Sequence, residues 1–115
     1  MPVISYTKRF DTGTLASGAS WEKEYPVTEH YTLHRIYIQE QAGTALNKSL
    51  FHLEVAGRNI FADDLPAKIL GAHDWENRPL DLDVPAGSVI KMIFKNLEAS
   101  NVACYVTLWF TVPGT

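Results

Sequence analysis

Every second residue from Val102 to Phe110 is apolar: Val102, Cys104, Val106, Leu108 and Phe110 share one side, while Ala103, Tyr105, Thr107 and Trp109 share the other. A side-chain period of two belongs to a strand, because successive Cβ atoms point to opposite sides of a pleated backbone. The same period recurs in most readable segments. Val3–Phe10, Trp21–Val27, Tyr31–Glu40, Leu50–Val55, Leu80–Val84, Val89–Lys95 and Val102–Val112 alternate or are rich in Val, Ile, Tyr, Phe and Thr, which suit a half-buried sheet surface. The chain reads as all-β. About eight strands of roughly 5 to 10 residues, separated by uneven turns, predict an antiparallel β-sandwich, in the form of a jelly roll of two four-stranded sheets. At 115 residues it is expected to be one domain, 1–115, with no repeat and no linker.

Turn chemistry punctuates these strands. Asp11–Ser20, around Gly13 and Gly18, reads as a loop. Pro26 cannot donate to a ladder, so Trp21–Val27 is expected at a sheet border. Ala56-Gly57-Arg58-Asn59 reads as a tight turn into a short strand Ile60–Ala62, and Pro85-Ala86-Gly87-Ser88 as another turn. Asp63–Trp75 is the least strand-like part and has room for one helical turn. Tyr31–Glu40 and Leu50–Val55 both place apolar residues on one side, and their antiparallel pairing predicts Ile36 opposite Leu53, Ile38 opposite Phe51 and Arg35 opposite Glu54.

Charge and cysteine content exclude several chemistries. Ten Lys plus Arg against thirteen Asp plus Glu give a net charge of −3, so no basic field draws the chain to nucleic acid. No apolar run approaches the roughly 18 to 20 residues of a membrane span, and Met1–Phe10 lacks the apolar core of a secretory signal. The single Cys104 excludes an internal disulfide, and its place in the apolar series predicts a buried, inert thiol. His30 and His34 are four apart, which on a strand separates them by roughly 13 Å, too far to share one ion. His52 and Glu54 are closer, with Tyr37 predicted across from His52, yet no third ligand is named. Asp81 and Asp83 alternate with Leu80 and Leu82 and read as a solvated side. Val84–Ile90 resembles the proline-glycine turn of the second cupin motif, but the His-x-His of the first motif has no match here. Neither a serine elbow nor a glycine-rich phosphate loop is present. No cofactor, no metal and no enzymatic activity are expected.

Aromatic residues supply the one binding hypothesis. Trp21, Trp75, Trp109, Tyr25, Tyr31, Tyr37 and Tyr105 include several predicted to point outward, and Trp109, Tyr105, Trp21 and Tyr37 are the candidate interface residues. Exposed Trp and Tyr anchor protein interfaces or stack on sugar rings, whereas a strand buried on both sides would place them in the core.

The pattern from Leu80 to Val112 is an alternating strand, a Val-Pro-Ala-Gly-Ser turn, an amphipathic strand ending at Asn96 and a long apolar strand carrying Trp109-Phe110. With the Gly18-Ala19-Ser20-Trp21 turn, this layout resembles the small single-jelly-roll structural proteins of phage and virus particles. The resemblance implies a virion component, made in the host cytoplasm, which builds or decorates a capsid or forms a vertex or tail attachment. Its partners would be copies of itself and other virion proteins. A carbohydrate-binding β-sandwich module or lectin, with a glycan as ligand, is the alternative.

Overall fold

The computed structural model describes residues 3–60, 64–70 and 80–113. Nine strands are described: β1 Val3–Leu15, β2 Ser20–Pro26, β3 Tyr31–Glu40, β4 Leu50–Val55, β5 Arg58–Asn59, β6 Leu65–Pro66, β7 Leu82–Val84, β8 Val89–Lys95 and β9 Val102–Pro113. A single 3₁₀ turn, Ala67–Leu70, is the one helical element among the described residues. The strands form two antiparallel sheets, ordered β1-β9-β3-β7 and β2-β8-β4-β5, with β6 added beside β4. The protein is a β-sandwich.

The inward residues are those the alternation selects. Leu33, Ile36 and Ile38 of β3 and Val106, Leu108 and Phe110 of β9 meet Phe51, Leu53 and Val55 of β4 and Ile90, Met92 and Phe94 of β8 in one buried cluster. Rings stitch the sheets together near one border. Phe10 on β1 packs 6.3 Å from Trp21 and 5.5 Å from Tyr25 on β2, and Tyr25 lies 6.2 Å from Phe110. Aromatic contacts of this kind add about 0.5–1.5 kcal/mol beyond area burial.

The predicted pairing of β3 with β4 is overturned. Ile36 stands opposite Leu108 and Ile38 opposite Val106, both on β9. On β4, Leu53 stands opposite Met92 and Phe51 opposite Phe94. Arg35 and Glu54 therefore lie on different sheets, and Arg35 is the register partner of Trp109. The parity of each strand is as expected, but parity says which side faces the core and leaves the neighbour open. Both strands bury their apolar sides by facing each other across the core.

Smaller departures have local causes. β1 runs on to Leu15 because a bulge between Asp11 and Thr14, with Gly13 at φ 67°, lets the strand keep pairing with β9. The bulge is closed by Cys104 N–H donating to Thr12 Oγ1 at 3.0 Å. The hairpin after β4 turns at Ala56 and Gly57, both with positive φ, as a twist-compatible two-residue turn requires. Its return strand is therefore Arg58–Asn59, two residues earlier than expected; Phe61, Ala62, Asp63 and Trp75 lie outside the described residues. Pro26 does sit on a border strand, and Gly87 at φ 86° completes the Pro85–Ser88 turn.

Cys104 is fully buried on β9, and burial foremost, with the Glu40 charge second, pushes its thiol up to about 12. The native protein should resist thiol labelling at pH 8 and react stoichiometrically only when denatured, as mass spectrometry after a short pulse of a maleimide reagent will show.

Candidate functional site

Because Leu108 and Phe110 are buried, Trp109 between them points to the outer face of the β1-β9-β3-β7 sheet. Thr7 on β1 and Arg35 on β3 flank it in register. Tyr37, one row away, has its ring 6.3 Å from the indole. Tyr105 follows two rows along β9, and the guanidinium of Arg9 lies 4.4 Å from its ring centre, a cation–π arrangement.

Two backbone irregularities meet beside Trp109. A register shift between Leu33 and Arg35 leaves His34 as an extra residue in β3, which re-aims its side chain. Asp81, just before β7, adopts φ 49°, a region that costs a non-glycine residue energy. Leu80 N–H donates to the His34 carbonyl at 2.7 Å and bridges the two. The result is a His34 ring held edge-on to Trp109 at 5.4 Å and bonded through Nδ1 to Asp81 at 2.6 Å. Nearby, His30 bonds to Asp83.

Of the four aromatic residues singled out from sequence, Trp109, Tyr37 and Tyr105 thus share one outer face. Trp21 is on the other sheet, turned inward against Phe10. All four are partly buried. His34, Arg35 and Arg9 complete the outer patch. Sequence reasoning missed His34 because a bulge and a positive φ are invisible to a strict period of two, and it did not join Arg9 and Arg35 to the patch because the pairing of β1 and β3 with β9 was not predicted.

The opposite outer face, on β2, β8 and β4, has another composition. Lys91 pairs with Glu22 and Lys95 with Asp64, each at 3.6 Å, and the ring nitrogens of His52 lie 3.1 Å from Asp64 and Glu54. Tyr37 is on the other sheet and does not lie across from His52.

Two buried carboxylates remain as candidate catalytic groups, and both serve loops. Glu98, 8% exposed, accepts the N–H groups of Lys48 and Ser49 at 2.9 and 2.7 Å and the Ser49 hydroxyl at 2.6 Å. Burial alone would raise its pKa, but the Ser49 hydroxyl, these two amides and the Lys48 charge outweigh it and hold the carboxyl below its ordinary value. Glu40 is held down in the same sense: burial opposes, and the amides of Ala103, Thr44 and Ala42 prevail. Fully buried Asn96 joins them, donating to the carbonyls of Leu15, Ala16 and Ser100. The amides of Ala42, Thr44 and Ala103 donate to Glu40, and the amides of Lys48 and Ser49 with the Ser49 hydroxyl donate to Glu98, so both carboxylates hold backbone in place.

Among the described residues no group of three or more His, Cys, Asp and Glu could hold a metal ion, and no helix is long and apolar enough to cross a membrane. A cleft of about 390 Å³ between the β4–β5 hairpin and β7 is walled by Val55, Ile60, Leu82 and Pro85, with Arg58 and Asp83 as its charged groups. No protein-family model matches the chain, and no curated protein matches it significantly.

The depressed carboxyls fix the acid behaviour. A folded-state pKa below the unfolded value adds stability that is complete above the unfolded pKa and is lost as pH falls through the folded one. The melting temperature should be flat above about pH 5 and fall below about pH 4.5, where unfolded carboxylates begin to take up protons. Glu98→Gln should melt lower at pH 7 and lose less between pH 5 and pH 3 than the wild type, as calorimetry over that range will measure.

Proposed function

We propose that the chain is a non-enzymatic structural component of a virus or phage particle, acting through self-association and packing against other virion proteins. The observation that carries the reading is the contrast between the two outer faces. One presents Trp109, Tyr37, Tyr105, Arg9 and Arg35, residue types enriched where protein interfaces are strongest, with Asp81 and Asp83 at its β7 border; the other presents the ion pairs of Lys91 and Lys95 with Glu22 and Asp64, residue types depleted there. A sheet side that only met water would have the second composition on both.

The sandwich itself we read as a jelly roll. Strands β1 to β4 and again β7 to β9 alternate between layers along the chain, in the orders β1-β9-β3-β7 and β2-β8-β4-β5, as two interleaved Greek keys do, and jelly rolls serve viral capsids and lectins alike. The virion assignment is further supported by the resemblance of the Leu80–Val112 layout.

A second reading has one specific observation in its favour. The Trp109 ring, flanked by Tyr37 and His34 on a sheet face, is a stacking platform on which a sugar ring could lie, with Arg35 and Gln39 as neighbouring donors. A glycan array read with the wild-type protein separates the two, since a structural component leaves it blank.

Trp109→Ala decides between interface and core. Loss of an interface anchor costs about 2 kcal/mol or more and weakens association over tenfold, whereas loss of a core Trp costs roughly 3–5 kcal/mol of fold stability. The expected result is a drop in oligomer mass by light scattering, with a melting temperature that depends on dilution in the wild type and much less in the variant. An unchanged mass with a much lower melting temperature, independent of concentration, would refute the interface.

A further inference from the structure

We propose that the occupant of the outer β1-β9-β3-β7 face is a second copy of the chain, related by a two-fold axis in the interface beside Trp109 and Arg35, with Arg9 of each copy against Asp83 of the other. The inference rests on the self-association proposed above and gives it a partner and a geometry.

The face has unlike ends. β1 and β7 are its opposite borders. At the β1 border Arg9 is exposed above Tyr105. Asp11, two residues along on the same side, is turned away to accept the Gly13 amide and the Gln41 side-chain amide, both at 2.9 Å. At the β7 border stand Asp83 and Asp81, with side chains 71% and 63% exposed, bonded to His30 and His34. One end offers the Arg9 guanidinium, the other two exposed aspartates, and the aromatic patch lies between. An isologous interface needs this arrangement, in which each surface is complementary to itself turned over.

The register makes the turn geometrically specific. Arg9 lies in the row of Thr107 and Tyr37, whereas Asp83 lies in the row of Thr32 and Thr111. With strands about 4.8 Å apart and a rise of about 3.4 Å per residue, Arg9 and Asp83 occupy diagonal corners roughly 20 Å apart. The midpoint of that diagonal falls between Trp109 and Arg35. A two-fold axis through this point, in the plane of the interface and perpendicular to the diagonal, carries Arg9 of one copy onto Asp83 of the other. The same operation brings Trp109 and Arg35 of both copies together at the centre, where an indole face can receive a guanidinium. Aromatic groups are then central and charges are at the rim, as in well-packed interfaces.

Association through sheet edges is disfavoured. β2 ends in Pro26, β5 and β7 are two and three residues long, and Lys8, two residues from inward Phe10, places a charge on the inner side of border strand β1. These are the features by which edges avoid pairing. A broad face is what remains for a second copy.

The test uses two full-length variants, Arg9→Asp and Asp83→Arg, alone and mixed in equal amounts, in analytical ultracentrifugation. Each substitution occurs twice across a two-fold, so each variant alone should associate at least about tenfold more weakly than the wild type. In the mixture every altered position meets its opposite charge, and a heterodimer of wild-type strength should form, identified by native mass spectrometry. Circular dichroism and the monomer melting temperature confirm folding, and Arg9→Gln with Asp83→Asn supply milder variants if either charge reversal misfolds. Variants that associate normally, or a folded mixture that stays dissociated, overturn the two-fold arrangement. Trp109→Ala in the same run separates the levels: if it alone dissociates, the face is an interface with a different axis. If it too keeps the wild-type mass, or if the wild type is a monomer at every concentration, self-association through this face fails as well.

Discussion

β9 is the strand on which the rest of the molecule registers. It pairs with β1 on one side and β3 on the other, so the position of each is measured against it residue by residue. Its inner residues, from Val102 to Phe110, form the floor of the core, and the cost of turning any of them to water is what forbids a one-residue slip. That same prohibition fixes the outer residues. Tyr105 and Trp109 cannot be withdrawn from the surface without expelling Val106 and Phe110 from the interior. Core packing thus determines the composition of the outer face.

Strand existence and strand parity were legible because both are local properties. β3, β4 and β8 have the limits their sequence suggests, and the side each buries follows from alternation alone. Choice of neighbour is non-local and was not legible. Ile36 could bury itself against any apolar strand of matching parity, and only the competition of all strands for two layers assigns it to Leu108 instead of Leu53. A warning was present in Gln41–Ser49, which is longer than the roughly 2–5 residues of a hairpin loop. That segment crosses from one layer to the other, and its two ends are gripped by Glu40 and Glu98.

The candidate site was legible in part for the same reason. Tyr37, Tyr105 and Trp109 fall outward by parity on strands that turn out to be neighbours. Trp21 also has a clear parity, but at a border strand the inner side is where the aromatic bridge to Phe10 forms. His34 was beyond reach of any periodic argument. Its contact with Trp109 depends on a bulge in β3, a left-handed residue before β7 and the bond between their backbones. Asn96, Glu40 and Glu98 were hidden differently, since a polar residue at a strand end reads as exposed until its loop partners are known.

The pairing of β1 with β9 has a consequence for how the protein is made. Val3 lies beside Pro113, so β1 completes its ladder with the described strand farthest from it along the chain. Until β9 has been made, β1 lacks its sheet partner, and Phe10 has only Trp21 and Tyr25 of β2 to pack against. Closure of this sheet is therefore slow, in the manner of sheets built from distant contacts. During that interval the amino-terminal strand of one chain is free to complete the carboxy-terminal strand of another, so the concentration of newborn chains decides between closed molecules and strand-exchanged ones.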